Sequence, residues 1–158
     1  MSGAQALAMN VAQRLHTSDE WGTPASVFDP LNDEFRFDLD VCASAENAKC
    51  DRYFTADDNG LWQPWAPARC WMNPPYGSAT REWAHKAWLE SGRGALVVGL
   101  IPARTDTAWF HQFVVKAGAE VRFIRGRVPF ELPGRIPNGR SPFPSLVIVW
   151  RPSRWLGA

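Results

Sequence analysis

No apolar stretch in this 158-residue chain is long enough to cross a bilayer; the longest, GALVVGLIPA, is about half of what a spanning helix needs. The first twenty residues lack the charged start and apolar block of a signal peptide, so a soluble cytoplasmic protein is expected. Cysteine is scarce as well: Cys42, Cys50 and Cys70 are odd in number and match neither a disulfide framework nor the close ligand pairs of a zinc site. They read as reduced thiols, mostly buried. His16, His85 and His111 lie far apart, with no i, i+4 pair and no carboxylate at ligand spacing, so no metal is expected. There is no internal repeat and no low-complexity segment.

What is present suits one compact catalytic or binding domain. With 46% hydrophobic and 21% charged residues, the chain has material for a single core. Residues 1 to 18 lack punctuation and read as a tail or loosely held helix; 19 to 158 read as one domain. The net charge of +1 hides an uneven distribution: −7 over residues 1 to 60, +3 over 61 to 118 and +5 over 119 to 158. A basic end of this kind attracts a phosphate backbone, although an ordinary surface with uneven charge would look the same.

Thr23-Pro24 predicts a helix start, with the threonine hydroxyl as cap and proline in the first turn. Val27, Phe28, Leu31 and Phe35 follow at helical spacing, and Pro30 is expected to kink or break that run. Strands are predicted over 36 to 41, 52 to 55 and 68 to 72, the last ended by Pro74 and Pro75. Ser78 is the expected cap of a helix that packs Thr80, Trp83, Ala84, Ala87 and Trp88 and stops at Gly92. GALVVGLIPA reads as a strand covered on both faces. A helix from about Thr107 to Gly118 follows, then EVRFIRGRVPF and SLVIVW as two strands with no helix between them. The pattern predicts an α/β fold with a doubly wound, mainly parallel sheet and antiparallel strands at the C-terminus, which binds its ligand at the carboxyl ends of the strands. The Pro/Gly-rich stretch 131 to 144 reads as a long surface loop.

Asn73, Pro74, Pro75 and Tyr76 stand at such a strand end. The prolines fix φ and supply no N–H to compete for the neighbouring carbonyls, so a stiff acceptor array results. The Asn73 amide oxygen and the Pro74 carbonyl suit the two divergent hydrogens of a planar NH₂ group. Accepting both favours a pyramidal nitrogen with an exposed lone pair, and Tyr76 can stack on the flat group that carries it. Such a nitrogen attacks a methyl sulfonium without a metal or a strong base. The plainer account is a proline pair that ends a strand beside a packed tyrosine.

NPPY after a strand resembles the catalytic motif of S-adenosylmethionine-dependent amino-methyltransferases, and the wider pattern resembles the phage-type DNA adenine methylase (Dam) family with its Rossmann-like methyltransferase fold. The segments that carry the likeness are DEWGTP, FDLDVCAS with ENAKC after it, GLW, WMNPPYG, PARTDTAWFH, IRGRVPF and SPFPSLVIVW, spread over residues 19 to 150. The resemblance implies methylation of adenine N6 in DNA, with the base flipped from its duplex. Asn73, Pro74, Pro75 and Tyr76 would form the catalytic motif. Trp21, Thr23 and Pro24 would belong to the cofactor motif at the methionine end, Asp40 would match the acidic position of the first cofactor motif, and Asp38 would be its neighbour. Asp57 or Asp58 would serve the adenosine.

The sequence departs from the family pattern in one loop: CASAEN stands where many of these enzymes carry a glycine-rich turn. No segment is large enough for a separate target-recognition domain, so base readout is expected from loop 125 to 144, with Arg125, Arg127, Arg135 and Arg140. Each of those arginines, taken singly, also fits a solvated surface charge. Methylation of an RNA base or a glutamine side chain would use the same chemistry, and a nucleic-acid-binding module without catalysis would share the basic end.

Overall fold

The computed structural model describes residues 22–131 and 141–153. The tail at 1 to 18, Trp21, Arg135 and Arg140 lie outside these residues, as does most of the Pro/Gly-rich loop. Five strands form one sheet in the order β1-β2-β3-β5-β4: β1 (Leu39–Asp40), β2 (Arg69–Met72), β3 (Leu96–Pro102), β4 (Glu120–Phe123) and β5 (Ser145–Trp150). The first three are parallel, and β5 is inserted antiparallel between β3 and β4. This is the mixed, doubly wound sheet the sequence predicts. Because β4 runs antiparallel to β5, it points the same way as β1 to β3. The segments after β1, β2, β3 and β4, and the one before β5, therefore all emerge at one edge.

Among the described residues, three helices cover the sheet. The first, α1 (Ala25–Phe35), buries Phe28, Leu31 and Phe35 against Trp71, Val98, Leu100, Val147 and Val149 on one face. The second, α2 (Thr80–Arg93), covers the other face together with α3, which runs from Ala108 to Phe110 and continues as a π-helix over His111–Val115. There Trp83, Ala84, Ala87, Phe113 and Val114 meet Cys70, Met72, Val97 and Ile148. Strand residues thus alternate between two cores, and each fully buried aliphatic side chain stabilises the fold by about 1.5–3 kcal/mol.

Several local expectations change. Pro30 does not break α1; it stands on an exposed turn, where water can serve the carbonyl that loses its partner. Pro24, in extended geometry, is the N-cap of that helix, and Thr23 makes no cap bond. Neither does Ser78 cap α2: Ala79 is its N-cap, and the buried Thr80 hydroxyl accepts from the Gly77 N–H and donates to the Pro75 carbonyl. The helix runs past Gly92 and ends at Gly94, whose φ of 116° suits glycine. Strand 36 to 41 contracts to two ladder residues, and 52 to 55 to a single bridge between Tyr53 and Asp40. Thr107 does cap α3, its side chain accepting from the Phe110 N–H.

Among the described residues, no helix is long and apolar enough to cross a membrane, and no group of three or more His, Cys, Asp or Glu could hold a metal ion.

Candidate active site

Asn73 follows β2 directly, at the sheet edge where four other loops converge. Its amide nitrogen donates to the Thr23 hydroxyl at 3.0 Å. Thr23 is 1% exposed, so this bond is shielded from water and fixes the amide: the NH₂ faces Thr23 and the oxygen occupies the other branch of the planar group. Gly22 is itself held by a pair of backbone bonds with Glu131. The chain that ends at Pro24 is thereby anchored from both sides before α1 begins.

Pro74 is buried, and its carbonyl accepts no hydrogen bond from any described residue. The Pro75 carbonyl, in contrast, is taken by Thr80. The Tyr76 hydroxyl lies 3.1 Å from the Ser145 hydroxyl, and the Tyr76 ring stands edge-on to Phe130, at 89° and 5.6 Å. Burial pushes the Tyr76 phenol well above its ordinary range, against the weaker opposing effect of the Ser145 bond, so it stays protonated.

A small cleft lies on the Thr23 side of Asn73, lined by Asp40, Cys42, Asn47, Lys49 and Trp71 as well. Here the loop that replaces a glycine-rich turn has a physical account. Asp40, only 2% exposed, accepts the Cys42 N–H on one carboxylate oxygen and the Lys49 N–H on the other, at 3.3 and 3.0 Å. Between them Ser44 and Asn47 bond reciprocally, the Ser44 N–H to the Asn47 side-chain oxygen at 2.7 Å and the Asn47 N–H to the Ser44 hydroxyl at 3.3 Å. Backbone N–H groups that a glycine turn would offer outward are engaged internally by side chains. Burial raises the Asp40 carboxyl to about 7, against the pull of the two N–H donors and the Lys49 charge.

On the Tyr76 side the surface opens into a cavity of about 340 Å³, lined by Tyr76, Thr80, Arg104, Thr107, Trp109 and Phe143 among others. The Arg104 guanidinium lies over the Phe143 ring, 4.2 Å from its centroid.

The structure thus brings Thr23, Pro24, Asp40, Asn73, Pro74, Pro75 and Tyr76 to one edge of the sheet. It sets Asp38 apart. Asp38 immediately precedes β1, toward the opposite edge, where it accepts the Arg69 N–H at 2.7 Å and pairs with the Arg69 guanidinium. Asp58 caps its own turn by accepting from the N–H and hydroxyl of Thr55, and Asp57 is exposed; neither lines the cleft or the cavity. Arg125 and Arg127 are exposed after β4, Arg127 donating to the Pro142 carbonyl at 2.7 Å. Sequence reasoning missed Asn47 and Lys49 in the cleft, and Arg104, Thr107, Trp109 and Phe143 in the cavity. The segments ENAKC, PARTDTAWFH and SPFPS were the available signal, but nothing in them says which side chains converge.

Comparison with known proteins supplies the family. The chain is 33% identical over 114 residues to the DNA N-6-adenine-methyltransferase of Haemophilus phage HP1, which covers 71% of this chain and 66% of that protein. It is 31% identical over 118 residues to the DNA N-6-adenine-methyltransferase of Escherichia phage T1, covering 73% of this chain and 49% of that one. The chain therefore spans between half and two thirds of the length of these curated relatives. The profile of the family described as DNA N-6-adenine-methyltransferase (Dam) matches residues 11–155, nearly the whole sequence, and the chain belongs to that family.

Proposed function

We propose that this protein transfers a methyl group from S-adenosylmethionine to the exocyclic N6 amine of adenine in duplex DNA. The observation that carries the reading is the Asn73–Pro74–Tyr76 constellation. The amide is oriented by Thr23, an unengaged backbone carbonyl follows it, and a fixed aromatic ring stands at the wall of an open cavity.

Asn73 Oδ1 and the Pro74 carbonyl each accept one hydrogen of the target amine, which draws the nitrogen toward a tetrahedral shape and frees its lone pair from the ring. Tyr76 offers its ring to one face of the flipped adenine, and the cavity receives the base. The Ser145 bond anchors the hydroxyl end of that ring against swinging about Cα–Cβ. Proline at 74 and 75 keeps the acceptors in place, so little ordering cost falls on the reacting complex.

The donor set of the cleft fits the methionine end of S-adenosylmethionine. Lys49 supplies a cation for a carboxylate, and Asn47 and Thr23 supply neutral polar groups. When bound, the cofactor supplies an electrophilic methyl group on a sulfonium. Asp40 acts by closing the loop that carries Asn47 and Lys49, and Pro24 by setting the entry to α1. Asp57, exposed and without a partner among the described residues, is freer to accept from a ribose than Asp58, whose carboxylate is engaged by Thr55. Arg125 and Arg127 add positive charge on the edge that faces the DNA.

The test is incubation with methyl-labelled S-adenosylmethionine and unmethylated duplex DNA, followed by nucleoside analysis. Label in N6-methyl-2′-deoxyadenosine is expected. Label confined to RNA or protein would overturn the assignment.

A further inference from the structure

Arg104 belongs to the segment PARTDT, for which the adenine chemistry above has no role. Its backbone is tied down at several points. The Arg104 N–H donates to the Pro102 carbonyl at 2.8 Å, the Arg104 carbonyl accepts the Thr107 hydroxyl at 2.7 Å, and the next residue's carbonyl is bonded to the His111 ring at 2.8 Å. The side chain is exposed, and its guanidinium lies on the Phe143 ring. Stacking holds a guanidinium by its face and leaves its N–H edge available, whereas an ion pair uses the edge up. Arg69, Arg93, Arg122 and Arg151 each pair with a carboxylate, Arg122 and Arg151 while also lying over the Phe35 ring. No carboxylate of a described residue pairs with Arg104.

A preset cation thus stands on the rim of the cavity that holds Tyr76. A base that enters this cavity brings its own backbone phosphates to the rim, because the sugar–phosphate link is only a few bonds long. We propose that Arg104 clasps a phosphate flanking the flipped nucleotide, with Phe143 as the platform that keeps the guanidinium edge outward. The proposal rests on the DNA reading given above. Its ligand chemistry is a phosphodiester, met as a bidentate acceptor.

Arg104→Gln and Arg104→Lys are compared with the unaltered protein in methyl transfer to unmethylated plasmid DNA across a salt series. Binding of S-adenosylmethionine is followed by calorimetry and folding by thermal melting. Loss of one phosphate contact makes the fall of log kcat/KM with log salt shallower by about one. Arg104→Gln is expected to show that change, with kcat/KM down about tenfold at low salt and cofactor affinity unchanged. Arg104→Lys keeps the charge and is expected to keep the original slope while losing some activity, since a lysine cannot lie flat on Phe143. An unaltered slope in a folded Arg104→Gln would show that the residue only packs against Phe143. Failure of the unaltered protein to methylate DNA would overturn the DNA reading itself, and the phosphate clasp with it.

Discussion

The two sides of Asn73 are built differently. On the Thr23 side nearly every polar group is engaged within the protein: the Asn73 amide nitrogen by Thr23, both Asp40 oxygens by backbone N–H groups, Ser44 and Asn47 by each other. On the Tyr76 side the walls are rings and an exposed guanidinium around about 340 Å³ of open space. A cleft stiffened in this way suits a flexible small molecule, since the protein loses little freedom when it binds. An open aromatic cavity suits a rigid flat base that arrives with its own charged backbone. Asn73 stands between the two sides, its amide nitrogen tied back to Thr23.

Replacing Asn73 with Ala should break the link between the sides most completely. Methyl transfer is expected to fall by on the order of 10²–10³-fold in kcat, with S-adenosylmethionine binding changed only a few-fold in calorimetry. An equal loss in both would place Asn73 in the cofactor cleft alone.

Asp40 tests how stiff the cleft is. Its carboxyl titrates near 7 when folded and near 3.8 when unfolded, because burial disfavours the charge. The folded chain therefore holds a proton that the unfolded chain releases, and the stability this group contributes is present at low pH and declines as pH rises from about 4 to about 7. Asp40→Asn removes that titration, so the variant should gain on the native protein by a few kcal/mol at most between pH 4.5 and pH 7.5 in urea unfolding. Glu90 has the opposite sign. Burial opposes its charge, but hydrogen bonds from Lys86 and from the N–H groups of Ala66 and Trp65 outweigh it, and its carboxyl lies below the usual range. Its contribution is lost only as pH falls below the ordinary glutamate value.

On the open side, Tyr76→Ala should lower kcat/KM by about 10–100-fold through lost stacking, without altering the cofactor's Kd. A loss of cofactor binding instead would mean that the ring supports the cleft rather than the cavity.

The order of elements and the two-sided burial of the strands were legible because periodicity is a local property: Val97, Val98, Leu100 and Ile101 announce a covered strand by themselves. The NPPY turn was legible for the same reason. What escaped depended on partners distant in sequence. Thr23 looks like a helix cap from its neighbours, yet its hydroxyl is better used by an amide 50 residues away. Gly92 looks like a helix stop, but the left-handed geometry falls on Gly94. Asp38 and Asp40 are two residues apart, one just before β1 and one at its end, and lie toward opposite edges of the sheet, a difference that composition does not encode. Arg104 and Phe143 meet only because β5 enters the sheet beside β3.

The smallest effect is the most informative about the comparison. Thr23→Val preserves shape in a site that is 1% exposed and removes only the oxygen that orients the Asn73 amide. The backbone stays anchored by Gly22 and Glu131, so fold and cofactor affinity should hold. The amide, however, can then rotate and present its NH₂ to an amine that needs an acceptor. Loss of one such bond corresponds to about 1 kcal/mol, or about fivefold in kcat, and Thr23→Ser should restore most of it. Tyr76→Phe removes one hydroxyl contact from the other side, that to Ser145, and leaves the stacking face in place, so it should cost about twofold or less in kcat. If Tyr76→Phe proves the more damaging in steady-state assays, ring placement rather than amide orientation limits the reaction.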